Sequence, residues 1–295
     1  MSSSPPKRTD GHCPGHGPRR GTHNVGRRSW NSVGQLDGRV ALVTGASRGI
    51  GAAIAEALAR EGASLVVTAR STDDAPGKLT GTLDETVAAI EDVGGEALAV
   101  AADLTNPVDR ERIVAVATDR FGHVDILVNN AAVTFFRPGG ELRQSRAHLM
   151  FEVQVMAPLH LSQLVLPRMK ARGAGWILNI SSVEAEDPAM PPSRFNSKGT
   201  TTVYGMCKAA LERMTSGLAA EGFGHGVSVT ALRPGGIVPT PGLVFHGVMK
   251  KDDPAAEDPQ LMAQAAVRLC SSPAGDYSGG VYESTSLAET VETRN

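Results

Sequence analysis

Seven short strand-like runs of this chain are mostly apolar: residues 40–43, 65–68, 97–101, 126–128, 176–180, 227–232 and, more weakly, 281–282. A strand with one wet face alternates apolar and polar residues. Runs without alternation belong to a sheet covered on both faces, which is the parallel kind. Between them lie stretches with helical periodicity, at 52–60, 83–93, 108–121, 146–172, 203–221 and 260–270. Parallel neighbours need crossovers, and right-handed crossovers wind helices onto both faces. The alternation therefore predicts an α/β fold: a doubly wound, seven-stranded parallel sheet with helices on both faces. Ligands of such sheets bind beyond the carboxyl ends of the strands. The residues that follow each run are where chemistry is expected.

No linker-like stretch interrupts residues 36–295, so they read as one domain. Residues 1–35 differ in composition: Ser, Pro, Gly and His predominate, and Lys7, Arg8, Arg19, Arg20, Arg27 and Arg28 are opposed only by Asp10. So little apolar area cannot offset the entropy of ordering, and a disordered basic arm is expected there. The whole chain of 295 residues has a formal charge of −2, which gives no reason to expect a nucleic-acid partner. No apolar run of membrane-spanning length stands out. Cys13, Cys207 and Cys270 are scattered, with neither a metal-ligand spacing nor a disulfide framework. A cytoplasmic setting without a metal is the expectation.

After the first apolar run comes Thr44-Gly45-Ala46-Ser47-Arg48-Gly49-Ile50-Gly51, which opens a helix. A strand that ends in close-set glycines and starts a helix makes an anion-binding corner, because backbone N–H groups and the positive helix end face the ligand. The G-x-x-x-G-x-G spacing is neither the G-x-G-x-x-G fingerprint nor a P-loop. Tyr204 and Lys208, four apart at a helix start, share one face. An ammonium beside a phenol favours the phenolate and lowers its pKa from about 10, so Tyr204 is a candidate acid/base. Ser182 ends the run 176–180 and offers a hydroxyl at the same sheet edge.

On these landmarks, with Asp103 after the third run, Asn129-Asn130-Ala131-Ala132 after the fourth and Pro234-Gly235 after the sixth, the chain resembles the short-chain dehydrogenase/reductase family, over residues 36 to about 284. The resemblance implies a Rossmann-type sheet and hydride transfer between a nicotinamide cofactor and an alcohol or carbonyl compound. It implies Tyr204 as general acid/base, Ser182 holding the reacting oxygen, and Lys208 on the nicotinamide ribose. Gly45, Ser47, Arg48, Gly49, Ile50 and Gly51 would cradle the phosphates. Asp103 and Leu104 would meet the adenine, and Asn130, Ala131 and Ala132 the adenosine side. Asn129 would brace the sheet. Pro234, Gly235, Val238 and Thr240 would receive the carboxamide end. It also implies a homo-oligomer, a tetramer or dimer, packed through the helices 146–172 and 203–221.

Cofactor choice follows from the second run. NAD-preferring folds place a carboxylate after it to hold the ribose 2′-hydroxyl. Here Arg70 and Ser71 stand there, with Arg48 in the glycine loop, which suits the 2′-phosphate of NADP(H) over NAD(H). Asp73 and Asp74 are the residues that argue the other way.

The chain also departs from the family pattern. Gln154 stands where the fourth catalytic residue, an Asn, is usual, so an altered proton relay is expected. Ala132 replaces a Gly. Ser182 and Tyr204 are 22 positions apart where about a dozen is typical, so the surplus must bulge outward. A second long connection spans 71–81. Substrate walls are expected from Val133, Phe135 and Phe136, from Met190, Pro191 and Phe195, and from Leu243, Val244 and Phe245. This lining favours a hydrophobic alcohol or ketone: a steroid-like ketone, a 3-oxoacyl thioester or a xenobiotic carbonyl. Arg137 and Arg194 are candidates for an acidic group. A catalytically weak NADP(H)-binding sensor or scaffold is the alternative. An epimerase of the extended branch is disfavoured by the short chain after Val281.

Overall fold

A computed structural model describes residues 34–188, 190, 200–250 and 252–287. Seven strands, β1 (Val40–Thr44), β2 (Ser64–Ala69), β3 (Ala97–Ala101), β4 (Ile126–Asn129), β5 (Gly175–Ile180), β6 (Val227–Arg233) and β7 (Val281–Glu283), form one sheet in the order β3-β2-β1-β4-β5-β6-β7. Every pairing is parallel. The expected doubly wound sheet is present. Its order reverses between β1 and β4, and a cleft opens at such a switch point.

Burial on both faces explains the missing alternation. In β1, Ala41 and Val43 enter one core layer and Leu42 the other, and all three have no exposure. The first layer packs α1 (Gly49–Arg60), α2 (Leu83–Asp92) and α8 (Pro259–Ser271) through residues such as Ile54, Leu58, Ile90 and Met262. The second packs α3 (Pro107–Phe121), α5 (Ala157–Arg172) and α6 (Thr202–Gly222) through Ile113, Leu161, Val165 and Leu218. Three short helices complete the described residues: α4 (Gln144–Phe151), α7 (Pro241–Phe245) and α9 (Ala274–Tyr277).

Two elements differ from the periodicity in ways that matter for the site. Helix α1 begins at Gly49, inside the glycine loop, because glycines carry no apolar signal by which a helix start is read. The long helix expected at 146–172 starts at Gln144 and is interrupted by a π-turn, Glu152–Met156, between α4 and α5. Pro158, in the first turn of α5, lacks an N–H and crowds the carbonyl four residues back, that of Gln154. The Ala157 N–H reaches instead to the Glu152 carbonyl, five residues back. The continuous stretch Gln144–Arg172 is also long and apolar enough to span a membrane by length and composition, contrary to the expectation from the sequence. Half of its most apolar window is buried inside the domain.

Candidate active site

The glycine corner is built at the switch point between β1 and β4. Gly45 and Gly49 take positive φ values, 65° and 57°. Asn130, after β4, donates through Nδ2 to the carbonyls of Thr44 (2.8 Å) and Gly45 (3.1 Å). A Cβ on Gly51 would lie 2.4 Å from that Nδ2, and one on Gly45 would lie 2.8 Å from the Ala131 Cα. These two glycines therefore admit the Asn130-Ala131 segment, and Asn130 staples the corner. Thr44 adds to the staple: its hydroxyl accepts from the Asn130 and Ala131 amides and donates to the Val128 carbonyl. Gly49 faces the other way, toward Thr240 and Pro241. No side chain caps α1 at Arg48, so its first N–H groups remain available to an anion.

At the carboxyl end of β5 the structure brings Ser182, Tyr204 and Lys208 together. The Ser182 side chain is close enough to the Tyr204 hydroxyl to pull its pKa down, and the Lys208 Nζ lies 5.5 Å from the centre of the Tyr204 ring. Residues 189 and 191–199 of the 22-residue separation, where the surplus was expected to bulge, lie outside the described residues. After Ser182 the chain makes a short 3₁₀ turn, Val183–Ala185, with the Ser182 hydroxyl accepting from the Glu184 N–H at 3.3 Å. This turn lies directly on α6 because residue 205 is glycine: a Cβ there would come within 2.4 Å of the Glu184 carbonyl oxygen.

Electrostatics at this cluster differ from the expectation that lysine would lower the phenol. Burial pushes Tyr204 up to about 12, against the lowering effect of the Ser182 side chain and reinforced by nearby Glu184. Burial likewise brings Lys208 down to about 8, partly countered by Cys207 and Glu212. Lys208 is 3% exposed and donates to the Ile180 carbonyl at 2.8 Å. Glu212, one turn further along α6, accepts from the Ser181 hydroxyl at 2.6 Å.

Gln154 lies in the π-turn, 1% exposed, and is not hydrogen-bonded to Lys208. Its Nε2 donates to the carbonyls of Val133 (3.0 Å) and Met150 (3.4 Å), while Oε1 has no partner among the described residues. Asn129 and Asn179, opposite each other on β4 and β5, are joined at 2.8 Å, and Asn179 donates on to Thr215. This buried chain crosses from the sheet to α6 beneath the Tyr204 cluster.

On the adenosine side, the Arg48 guanidinium donates to the Ser71 hydroxyl (2.7 Å) and the Gly81 carbonyl (2.8 Å). Burial, and then the charge of Arg70, hold it below its usual value, so the two guanidiniums are close enough to sense each other. The Asp73 carboxylate accepts from the Thr82 hydroxyl at 2.6 Å, inside the 71–81 loop. Asp74 is exposed. Asp103 folds one oxygen into a turn, accepting from the Thr105 N–H and hydroxyl. The Leu104 side chain is 8% exposed and belongs to the core, so only its backbone faces outward.

The loop after β6 forms the opposite wall. Gly235 donates to the Ser284 hydroxyl at 3.1 Å, and Thr240 caps α7. Val238, expected to meet a ligand, has its side chain in the core at 3% exposure. Val133 and Phe135 pack with Tyr204, Met150 and Cys207 in a small apolar cluster. Phe136 and Phe245 meet through His246, at ring distances of 5.7 and 5.3 Å, while Leu243 and Val244 are half-buried on α7. Ala132 and Met190 are exposed. Arg137 is exposed and shares a cavity of about 320 Å³ with Arg143 and Arg146. Pro191, Arg194, Phe195 and residues 1–33 lie outside the described residues.

The site also contains residues that motif reading passed over. His246, Glu257 and Ser284 belong to no fingerprint, and Gly205 is an unread position between Tyr204 and Lys208. Only the oddity of glycine within a helix start gave any signal, at Gly205.

Comparison with known proteins agrees with this geometry. The family model described as short chain dehydrogenase matches residues 39–244. The 7alpha-hydroxysteroid dehydrogenase of Escherichia coli is 33% identical over 258 residues, covering 84% of this chain and 92% of that protein. The ketoacyl reductase HetN of Nostoc is 32% identical over 233 residues, covering 79% of this chain and 75% of that one. A metagenomic short-chain oxidoreductase solved in complex with NADP superposes with a TM-score of 0.68 at 29% identity, covering 84% of this chain and 98% of that one. With that family model matching residues 39–244, the chain belongs to the short-chain dehydrogenase family of oxidoreductases.

Proposed function

We propose that this protein transfers hydride between NADP(H) and a hydrophobic alcohol or ketone, with Tyr204 as general acid/base. The observation that carries the reading is the convergence of Ser182, Tyr204 and Lys208 at the carboxyl edge of β5, with Lys208 one turn along from Tyr204. The chain fits the cofactor at two places. The uncapped start of α1 suits a diphosphate, and Arg48, Arg70 and Ser71 suit a ribose 2′-phosphate. Asp73, the nearest rival for that ribose, is held by Thr82. The cofactor, when bound, supplies or accepts the hydride. In reduction, the Tyr204 O–H donates its proton to the carbonyl oxygen while the Ser182 hydroxyl holds that oxygen in place. The Lys208 cation stabilises the phenolate that remains. In oxidation the phenolate takes the proton back.

Val133, Phe135, Phe136 and Phe245 give this region an apolar lining, which favours a hydrophobic substrate. Two free, buried cysteines, Cys207 and Cys270, suit a reducing compartment such as the cytoplasm. The test is a panel of apolar ketones with NADPH and with NADH, in the wild type and in Tyr204→Phe. Consumption of NADPH in preference to NADH, abolished in the variant, supports the reading.

A second reading rests on one observation: Gln154 is bound to Val133, and its buried Oε1 has no partner among the described residues. A protein without a working proton relay would bind NADP(H) as a sensor or scaffold. It would turn over no ketone of the panel, and Tyr204→Phe would change nothing.

A further inference from the structure

We propose that Glu257 is a positioning residue that fixes the 234–240 loop and so sets the protein's grip on the nicotinamide half of the cofactor; this rests on the dehydrogenase reading above. Glu257 precedes α8 and is 7% exposed. A buried carboxylate is costly unless donors surround it. Here its Oε2 accepts from the Gly236 N–H at 2.6 Å and its Oε1 from the Ser284 hydroxyl at 2.5 Å. Ser284, with no exposure, in turn accepts from the Gly235 N–H at 3.1 Å. The Glu257 N–H donates to the Ile237 carbonyl at 2.9 Å. Three successive residues of the loop are thus tied to one acidic side chain, its own backbone and the serine it holds.

The need for such a clamp is written into the loop. Gly235 and Gly236 are adjacent, and two glycines in a row are the most freely rotating backbone a chain can offer. Thr285 closes on Gly235 from the far side: a Cβ there would lie 2.4 Å from the Thr285 hydroxyl oxygen. Beyond the clamp, Val238 is anchored in the core and Thr240 reaches across to Gly49, with its methyl 3.4 Å from where a Cβ on that glycine would be. The loop is therefore the wall that faces the phosphate corner. Glu257 touches neither substrate nor reacting atoms and acts through the backbone it holds.

The experiment titrates the full chain, by protein fluorescence or calorimetry, with NADPH and with adenosine 2′,5′-bisphosphate, which lacks the nicotinamide half. Losing two charge-assisted hydrogen bonds, Glu257→Ala should weaken NADPH about tenfold and leave the bisphosphate within about twofold. Glu257→Gln keeps an acceptor for Gly236 and should return NADPH to within about threefold of the wild type. Should Glu257→Ala fail to fold, Ser284→Ala removes only the hydroxyl between Glu257 and Gly235, and should show the same selective loss at about threefold. Equal weakening of both ligands, or unchanged NADPH affinity, would overturn the proposal. A wild type that binds neither ligand would overturn the dehydrogenase reading instead.

Discussion

At the Tyr204 hydroxyl, burial outweighs charge. Lysine four residues on suggested a phenol poised near neutrality, yet the phenol is held near 12 and the ammonium near 8. The spacing of Tyr204 and Lys208 was legible; the low dielectric around them was not, because it comes from residues distant in sequence, such as Met150 and Val155. The consequence is a directional one. Below pH 8 Lys208 is charged and Tyr204 carries its proton, the state that donates to a carbonyl. As pH rises through the lysine's value of about 8 the charge that stabilises the departing phenolate is lost, while Tyr204 keeps its proton up to about 12. The kcat/KM for ketone reduction should be flat below that point and fall above it, and Lys208→Met should remove the falling limb. A rate that climbs through the same range would contradict this assignment. Gly205 carries a second prediction. An alanine there must displace the Glu184 carbonyl, now 2.4 Å from the new Cβ, and with it the Ser182 hydroxyl. Misplacing a reacting group by about 1 Å costs on the order of 100-fold, so Gly205→Ala should lower kcat 10- to 100-fold, roughly, with little change in NADPH affinity. Unchanged turnover would show that the turn does not position Ser182.

Elements were legible where their pattern is periodic and hidden where special residues set them. The seven strands follow from mostly apolar runs, because two core layers bury both faces of the central strands, while β7 at the edge stays partly exposed. The start of α1 was missed by three residues, since Gly49 and Gly51 carry no apolar signal. The π-turn at Glu152–Met156 could not be read from periodicity, although Pro158 marks its cause. That turn decides where the Gln154 amide goes, and so the identity of one residue at one position did not reveal its partner. The 71–81 loop, read only as a second long connection, folds back so that Gly81 and Ser71 hold the Arg48 guanidinium. Among the motif residues, Asn130 and Gly51 hold the glycine corner together, while the side chains of Leu104 and Val238 are buried in the core.

For the molecule as a whole, the sheet order places the glycine corner, the Tyr204 cluster and the clamped 234–240 loop around one switch point. That convergence comes from the parallel topology and needs no motif to enforce it. One face remains: Phe151 (39%), Met156 (41%) and Met206 (58%) expose apolar surface on the helical run Gln144–Arg172 and on α6. We propose that these helices pair copies of the chain into a homo-oligomer, a tetramer or dimer, which sedimentation should show; a monomer at micromolar concentration would refute it. The measurement that bears most directly on the whole account is single-turnover hydride transfer from NADPH to an apolar ketone, in the wild type and in Tyr204→Phe. General acid catalysis is worth about 10²- to 10⁴-fold, so the variant should lose roughly 10³-fold in rate while binding NADPH within about twofold of the wild type. A wild type that binds NADPH but reduces no ketone, or a variant as fast as the wild type, would contradict it.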